Sequence, residues 1–127
     1  MYKIRVISHF GAAHFLKGYK GKCESLHGHN WKVEVIVSGN KLDSLGMVMD
    51  FSQLKKLVNG SIVSLDHKSL NDIDYFQKHN PSSEEIAKYI FHKLQPKILE
   101  KNCILEEVQV WETENSCAIY QLSLIHI

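Results

Sequence analysis

The sequence predicts an α+β domain in the order ββααββ, a four-stranded antiparallel sheet with two helices on one face. Three observations predict it. Both ends of the chain alternate apolar and polar residues with the period of a strand. The middle carries two apolar patterns at helical spacing, each opened by a capping residue. The chain has 127 residues, 44% hydrophobic and 23% charged, which suits one soluble domain over 1–127 and leaves little room for a second.

Residues 2–14 are rich in β-formers, with Ile4, Val6, Phe10 and Ala12 on the even positions. Residues 31–37 alternate more cleanly: Trp31, Val33, Val35 and Val37 fall on one side, Lys32 and Glu34 on the other. Between these strands, Gly18, Gly21 and Gly28 predict a long loop or bulged region. After a loop carrying Gly46, Phe51, Leu54, Leu57 and Val58 fall at helical spacing. Asp50 can accept the first free backbone amides, and Gln53 stands where a capping box would place it. A second helix starts near Asn80-Pro81, with Ser82 as N-cap and Glu85 three residues on. Ile86, Ala87, Ile90, Phe91 and Leu94 form its apolar face, and Pro96 ends or kinks it. Over 104–112, Ile104, Val108, Val110 and Glu112 share one parity. Asn115-Ser116 then turns the chain into a last strand from Cys117 to Leu124. Such a sheet has two open edges, and a chain this small gains by joining its edges into an oligomeric barrel.

Composition excludes several functions. A net charge of +1 gives no general electrostatic grip on nucleic acid or an anionic membrane, and no basic-aromatic stripe replaces it. No apolar run approaches the ~20 residues of a membrane span, and the start of the chain lacks the apolar core of a signal peptide. Cys23, Cys103 and Cys117 cannot all pair within one chain, which predicts a reduced, cytoplasmic setting.

Histidine carries the chemistry. In an extended backbone His27 and His29 project to the same side, the side of Trp31 and Val33. Two inward imidazoles cost desolvation unless something satisfies them, and a metal does so. His14, at the end of the first strand, supplies a third nitrogen if the two strands pair. Three histidines with one open position describe catalytic zinc. The plainer reading is two turn histidines around a glycine. Cys23, four residues before His27, is a small buried hydrophobe, a thiolate base beside a cation, or a fourth ligand that closes the site. Asp66-His67 is a coupled proton relay if the segment turns there, and two solvated loop residues otherwise. Glu112 points inward, where a carboxylate needs an arginine or a guanidine-like ligand edge, unless it reaches solvent at the strand end.

Taken in order, Ala12-Ala13-His14-Phe15-Leu16, Cys23 with His27-Gly28-His29, Asp50-Phe51 with Leu54-Lys55, Leu65-Asp66-His67 through Leu70-Asn71, Asn80-Pro81-Ser82-Ser83-Glu84 and Trp111-Glu112-Thr113 resemble the 6-pyruvoyltetrahydropterin synthase family, and within it the bacterial 6-carboxytetrahydropterin synthase branch. The resemblance spans residues 12–113. It implies the tunnelling fold (T-fold), whose trimers form a twelve-stranded barrel and stack as hexamers, with sites between subunits. It implies Zn2+ on His14, His27 and His29, and a small-molecule substrate, 7,8-dihydroneopterin triphosphate. It further implies Cys23 as general base, Asp66 and His67 as relay, and Glu112 as pterin anchor beside Ser82. The implied products are 6-carboxytetrahydropterin, acetaldehyde and triphosphate, on the route to queuosine.

The chain departs from that pattern in places. Ser82 stands where the family often has Thr, which keeps the hydroxyl. Cys23 satisfies the carboxy branch's Cys-x-x-x-His-Gly-His, while Glu24 satisfies Glu-x-x-His-Gly-His, similar to a branch that cleaves the side chain to 6-hydroxymethyl-7,8-dihydropterin for folate synthesis. The other enzymatic alternative is 6-pyruvoyltetrahydropterin synthase activity, against which the short cysteine spacing argues. A structural zinc or metal-storage module would leave Asp66, His67 and Glu112 without a use. Lys17, Lys20 and Lys22 are candidates for the triphosphate because they are basic and near the site, and the tail 123–127 carries no assigned function.

Overall fold

The computed structural model describes residues 1–19 and 24–122. Two long strands, β1 (Tyr2–His14) and β2 (His27–Gly39), pair antiparallel in unbroken register from Tyr2 opposite Gly39 to His14 opposite His27. β2 therefore begins well before the clean alternation does, and Gly28 lies within it opposite Ala13 rather than in a loop. The apolar pattern fades there because His27 and His29, not apolar residues, hold the inward positions ahead of Trp31.

After α1 (Phe51–Ile62), a two-residue strand β3 (Lys68–Ser69) runs parallel to β1 at Ala12 and Ala13. A short helix α2 (Asp74–Lys78) and the long α3 (Ser83–Leu99) follow, then β4 (Ile104–Thr113) and β5 (Ser116–Tyr120). The sheet order is β3-β1-β2-β4-β5. The predicted four-stranded antiparallel sheet is thus present with a fifth strand added at its β1 edge, too short to leave a periodic signal. The predicted last hairpin pairs β4 with β5, and positions 123–124 of the predicted strand lie outside the described residues.

Core residues occupy one face. Trp31, Val33, Val35 and Val37 are fully buried against Leu54 and Val58 of α1 and Ile86, Ile90 and Leu94 of α3. Truncating Phe91 or Trp31 to alanine in such a core costs about 3–5 kcal/mol. Asp50 accepts the N–H groups of Ser52 (2.7 Å) and Gln53 (3.3 Å), as its capping position requires. Phe51, however, lies at the first turn of α1 and is 62% exposed; the buried stripe is Leu54, Val58 and Ile62. Pro96 lies within α3, which continues to Leu99 and buries Ile98 beyond it.

One parity expectation fails. Ile36 pairs with Glu107 but Val37 pairs with Leu105, so Glu106 is an extra residue and β4 bulges. The bulge flips the strand's start: Leu105 enters the core and Ile104 is 52% exposed. Beyond the bulge, Val108 and Val110 face inward as expected, which keeps Glu112 on the inner side.

Candidate metal centre and active site

The β1–β2 register builds the site. His14 and His27 are direct cross-strand partners, and His29, opposite Ala12, stands two residues along the same face. Their rings make a triangle with centroids 4.6 Å (14 to 27), 5.3 Å (14 to 29) and 4.9 Å (27 to 29) apart. Trp31, next on that face, donates its indole N–H to Ala12 C=O and closes the floor beneath His14 and His29. Glu112, from the end of β4, completes the group. Its Oε1 lies 3.1 Å from His14 Nε2 and 3.0 Å from His29 Nε2. One donor atom from each of His14, His27, His29 and Glu112 lies within 4.8 Å of the others.

This donor set fits a metal ion. His14 Nδ1 is 2.7 Å from Pro81 C=O, and His27 Nδ1 is 2.8 Å from Ser25 C=O. In each pair the ring N–H donates to the carbonyl, which leaves Nε2 as a bare lone pair. A bare nitrogen and a carboxylate oxygen repel at 3 Å unless a proton or a cation lies between them, and His14 Nε2 with Glu112 is such a pair. His29 Nε2 is buried and finds no hydrogen-bond geometry despite its 3.0 Å approach to Glu112. Burial holds His29 below the ordinary imidazole range; Glu112 pulls against this, while His14 and His27 add to it. A neutral imidazole is the form that ligates.

A pocket of about 210 Å³ opens beside the cluster, lined by His14, Leu16, Glu24, His27, Ser82 and Glu112 among others. Glu24 belongs to it: its Oε1 accepts the Leu16 N–H (3.1 Å) and its own N–H donates to Leu16 C=O (3.2 Å). Ser82 lines the pocket too, but its Oγ accepts the Glu85 N–H as the α3 cap, so only its hydroxyl proton is left for a ligand. Cys23, the expected base, lies outside the described residues, as do Lys20 and Lys22.

Asp66 and His67 do turn together, as a relay would need. His67 adopts φ 59°, and its Nδ1 lies 3.1 Å from Asp66 Oδ1. Yet neither lines the pocket with Glu24. The other oxygen contact of Asp66 is structural: the Gly11 N–H donates to it at 2.9 Å, and that bond holds its carboxyl below the usual range. His67 is 88% exposed and lines a second concavity that spans β3, β1 and the start of β2, with Gly11, Ala13, Ser69 and His29 of the metal cluster. Cys103 and Cys117 have thiols pushed up by burial, which makes them poor nucleophiles.

Sequence reasoning missed Asn71 and Asn80 as site-building residues, and the Pro81 carbonyl behind His14. The signal was present in the Leu70-Asn71 and Asn80-Pro81-Ser82 matches, but no spacing rule assigns an asparagine to a distant backbone.

Residues 3–123 match the family 6-pyruvoyl tetrahydropterin synthase over nearly the whole chain. The chain belongs to that family. A Bacillus subtilis relative named 6-carboxy-5,6,7,8-tetrahydropterin synthase is 37% identical over 89% of this chain and 80% of its own. The human 6-pyruvoyl tetrahydrobiopterin synthase is 41% identical over 80% and 71%. Among solved structures, Caenorhabditis elegans 6-pyruvoyl tetrahydropterin synthase superposes with a TM-score of 0.82 at 28% identity, over 96% of both chains. The family consists of lyase-type enzymes acting on small-molecule pterins, and the fold here is its α+β T-fold. Among the described residues no helix is long and apolar enough to cross a membrane. Total identity does not separate the carboxy from the pyruvoyl type, since both names occur at similar levels.

Proposed function

We propose that this protein is a zinc-dependent 6-carboxy-5,6,7,8-tetrahydropterin synthase. It converts 7,8-dihydroneopterin triphosphate to 6-carboxytetrahydropterin, acetaldehyde and triphosphate, for queuosine and related 7-deazapurine synthesis in the cytoplasm. The observation that carries the proposal is the convergence of three imidazoles and the Glu112 carboxylate within 4.8 Å of one another, beside a pocket that His14, His27, Glu112 and Glu24 line.

His14, His27 and His29 would hold the zinc. When bound, it supplies Lewis acidity, the effect that takes a bound water from a pKa of ~15.7 to about 7. Three histidines leave one position open to substrate only if Glu112 is not the fourth ligand. The proposal therefore assigns Glu112 to the pterin, where its two oxygens accept the 2-amino and N3 hydrogens, with the Ser82 hydroxyl lining the same pocket. Cys23, next in sequence to Glu24, takes the proton from the substrate. Asp66 and His67 form the relay, and they reach the substrate across a subunit boundary in a homo-oligomer, trimer or hexamer. The size of the pocket supports this: about 210 Å³ is below the roughly 300–1,000 Å³ of a complete small-molecule site.

Glu24 favours a second reading. Its carboxylate lines the pocket, and a carboxylate there can promote side-chain cleavage to 6-hydroxymethyl-7,8-dihydropterin. The deciding experiment incubates zinc-loaded protein with 7,8-dihydroneopterin triphosphate and identifies the pterin products by mass. The carboxy product supports the proposal, the hydroxymethyl product alone supports the Glu24 reading, and the pyruvoyl product overturns both.

A further inference from the structure

The edge of β1 that faces β3 continues past the end of the strand, closed largely by side chains. At Gly11 the N–H donates to Asp66 Oδ1 and the C=O accepts the His67 N–H (2.6 Å). β3 then pairs with Ala12 and Ala13. At Phe15 the N–H donates to Asn71 Oδ1 (3.0 Å) and the C=O accepts from Asn71 Nδ2 (2.9 Å). At Lys17 the N–H donates to Asn80 Oδ1 (2.8 Å) and the C=O accepts from Asn80 Nδ2 (2.9 Å). A carboxamide carries an acceptor and donors much as a peptide unit does, so each asparagine replaces one residue of a missing strand. On the opposite side Leu16 is held by Glu24 through both its N–H and its C=O. Residues 15–17 are thus gripped from both edges. They begin at the residue after His14 and hold Glu24 on their far side.

Asn80 reaches the site by a second route. It immediately precedes Pro81, whose carbonyl accepts the His14 Nδ1–H, and Ser82, which caps α3. Its side chain therefore fastens the β1 extension to the corner that orients a metal-facing imidazole. Without that fastening the corner can swing against β1. The acceptor that fixes the tautomer of His14 is then no longer held in place.

We propose that Asn71 and Asn80 are positioning residues of the metal centre, two carboxamide clasps that set His14 from the segment following it and, for Asn80, through the adjoining Pro81 carbonyl. This rests on the reading of His14, His27 and His29 as the metal ligands. Asn71 is buried at 7% exposure, whereas Asn80 is exposed, so the fold tolerates loss of the second clasp more readily.

The test uses the full chain and measures zinc affinity by competition with a chromogenic chelator, the visible spectrum of the Co2+-substituted protein, and the melting temperature. Asn71→Ala and Asn80→Ala should each weaken zinc binding roughly 10–100-fold, the range found when outer-shell partners are lost, and should shift the cobalt bands. Asn80→Asp has the same shape and keeps an acceptor for the Lys17 N–H, but sets a carboxylate oxygen against the Lys17 C=O where the N–H donated, so it should also weaken zinc binding and shift the cobalt bands. If Asn71→Ala does not fold, the two Asn80 variants decide. Zinc affinity and cobalt bands equal to the parent's, with or without a lower melting temperature, would reduce the clasps to scaffold and overturn the proposal. A parent that takes up no zinc overturns the metal reading, and this proposal with it.

Discussion

Replacing Glu112 by glutamine separates the two roles its position allows. The side chain touches two predicted metal ligands, yet the proposed function needs it for the pterin. Glutamine keeps the size and one acceptor, but it sets an N–H group against one of the two pterin hydrogens and removes the charge. Losing a hydrogen bond to a charged group costs roughly 1.5–3 kcal/mol. A third of the side chain faces solvent (34%), so the lower half of that range applies, about a thirteenfold to forty-fivefold weaker Kd. The assay is fluorescence titration with 7,8-dihydroneopterin on zinc-loaded protein, alongside metal analysis. Zinc should stay at the parent's level while pterin affinity falls. An unchanged pterin Kd would refute the anchor. Loss of zinc would refute the open three-histidine site, because Glu112 would then be a ligand.

Other variants test the remaining assignments. The triple variant His14→Ala, His27→Ala, His29→Ala should lose nearly all bound zinc by metal analysis, whereas Cys23→Ala should keep it; loss of zinc in Cys23→Ala would make the site closed and structural. Cys23→Ala should abolish 6-carboxytetrahydropterin and spare any hydroxymethyl product. Glu24→Gln retains an acceptor for the Leu16 N–H but no base, so it should remove only the hydroxymethyl product, while Glu24→Ala should also lower carboxy product by freeing the segment at Leu16. Asp66 has its carboxyl held below the ordinary 3.8 by the Gly11 N–H, so its ionised form adds stability above that pH, and the gain is lost as pH falls through the depressed value. The difference in urea midpoint between the parent and Asp66→Asn should accordingly be present at neutral pH and vanish in strong acid; a difference that persists there would deny the linkage.

The parts of this fold that sequence reveals are those a buried face dictates. Trp31, Val33 and Val35 had to alternate because one side of β2 is core, and Asp50 and Ser82 had to be polar because helix starts leave free amides. The same logic placed His27 and His29 together, and pairing with β1 brought in His14. Short elements carry no such pattern: β3 has two residues and α2 five, too few to show a period even though Phe76 of α2 is buried. The pattern at the start of β2 faded because histidines, not apolar residues, hold its inward positions. Ile104 misled for a different one: a single inserted residue, Glu106, reversed the parity of the residues before it.

The split of the predicted catalytic residues follows from the same architecture. His14, His27, His29 and Glu112 come from the inner, helix-covered face at the ends of β1, β2 and β4, so one chain can assemble them by register alone. Asp66 and His67 are fixed instead on the β3 side of β1, where Gly11 donates to the carboxylate of Asp66 and accepts the N–H of His67. His67 is 88% exposed and lines a concavity over β3, β1 and the start of β2, which lies open to a neighbouring chain. Neither residue lines the pocket with Glu24, and their exposure suits delivery to a neighbouring chain's pocket. Activity should then depend on association. A mixture of His14→Ala and His67→Ala subunits, each inactive alone, should regain activity when refolded together, because some sites would draw the metal ligands from one chain and the relay from the other. No recovery in a mixture shown to contain mixed oligomers would place the relay and the metal in the same chain.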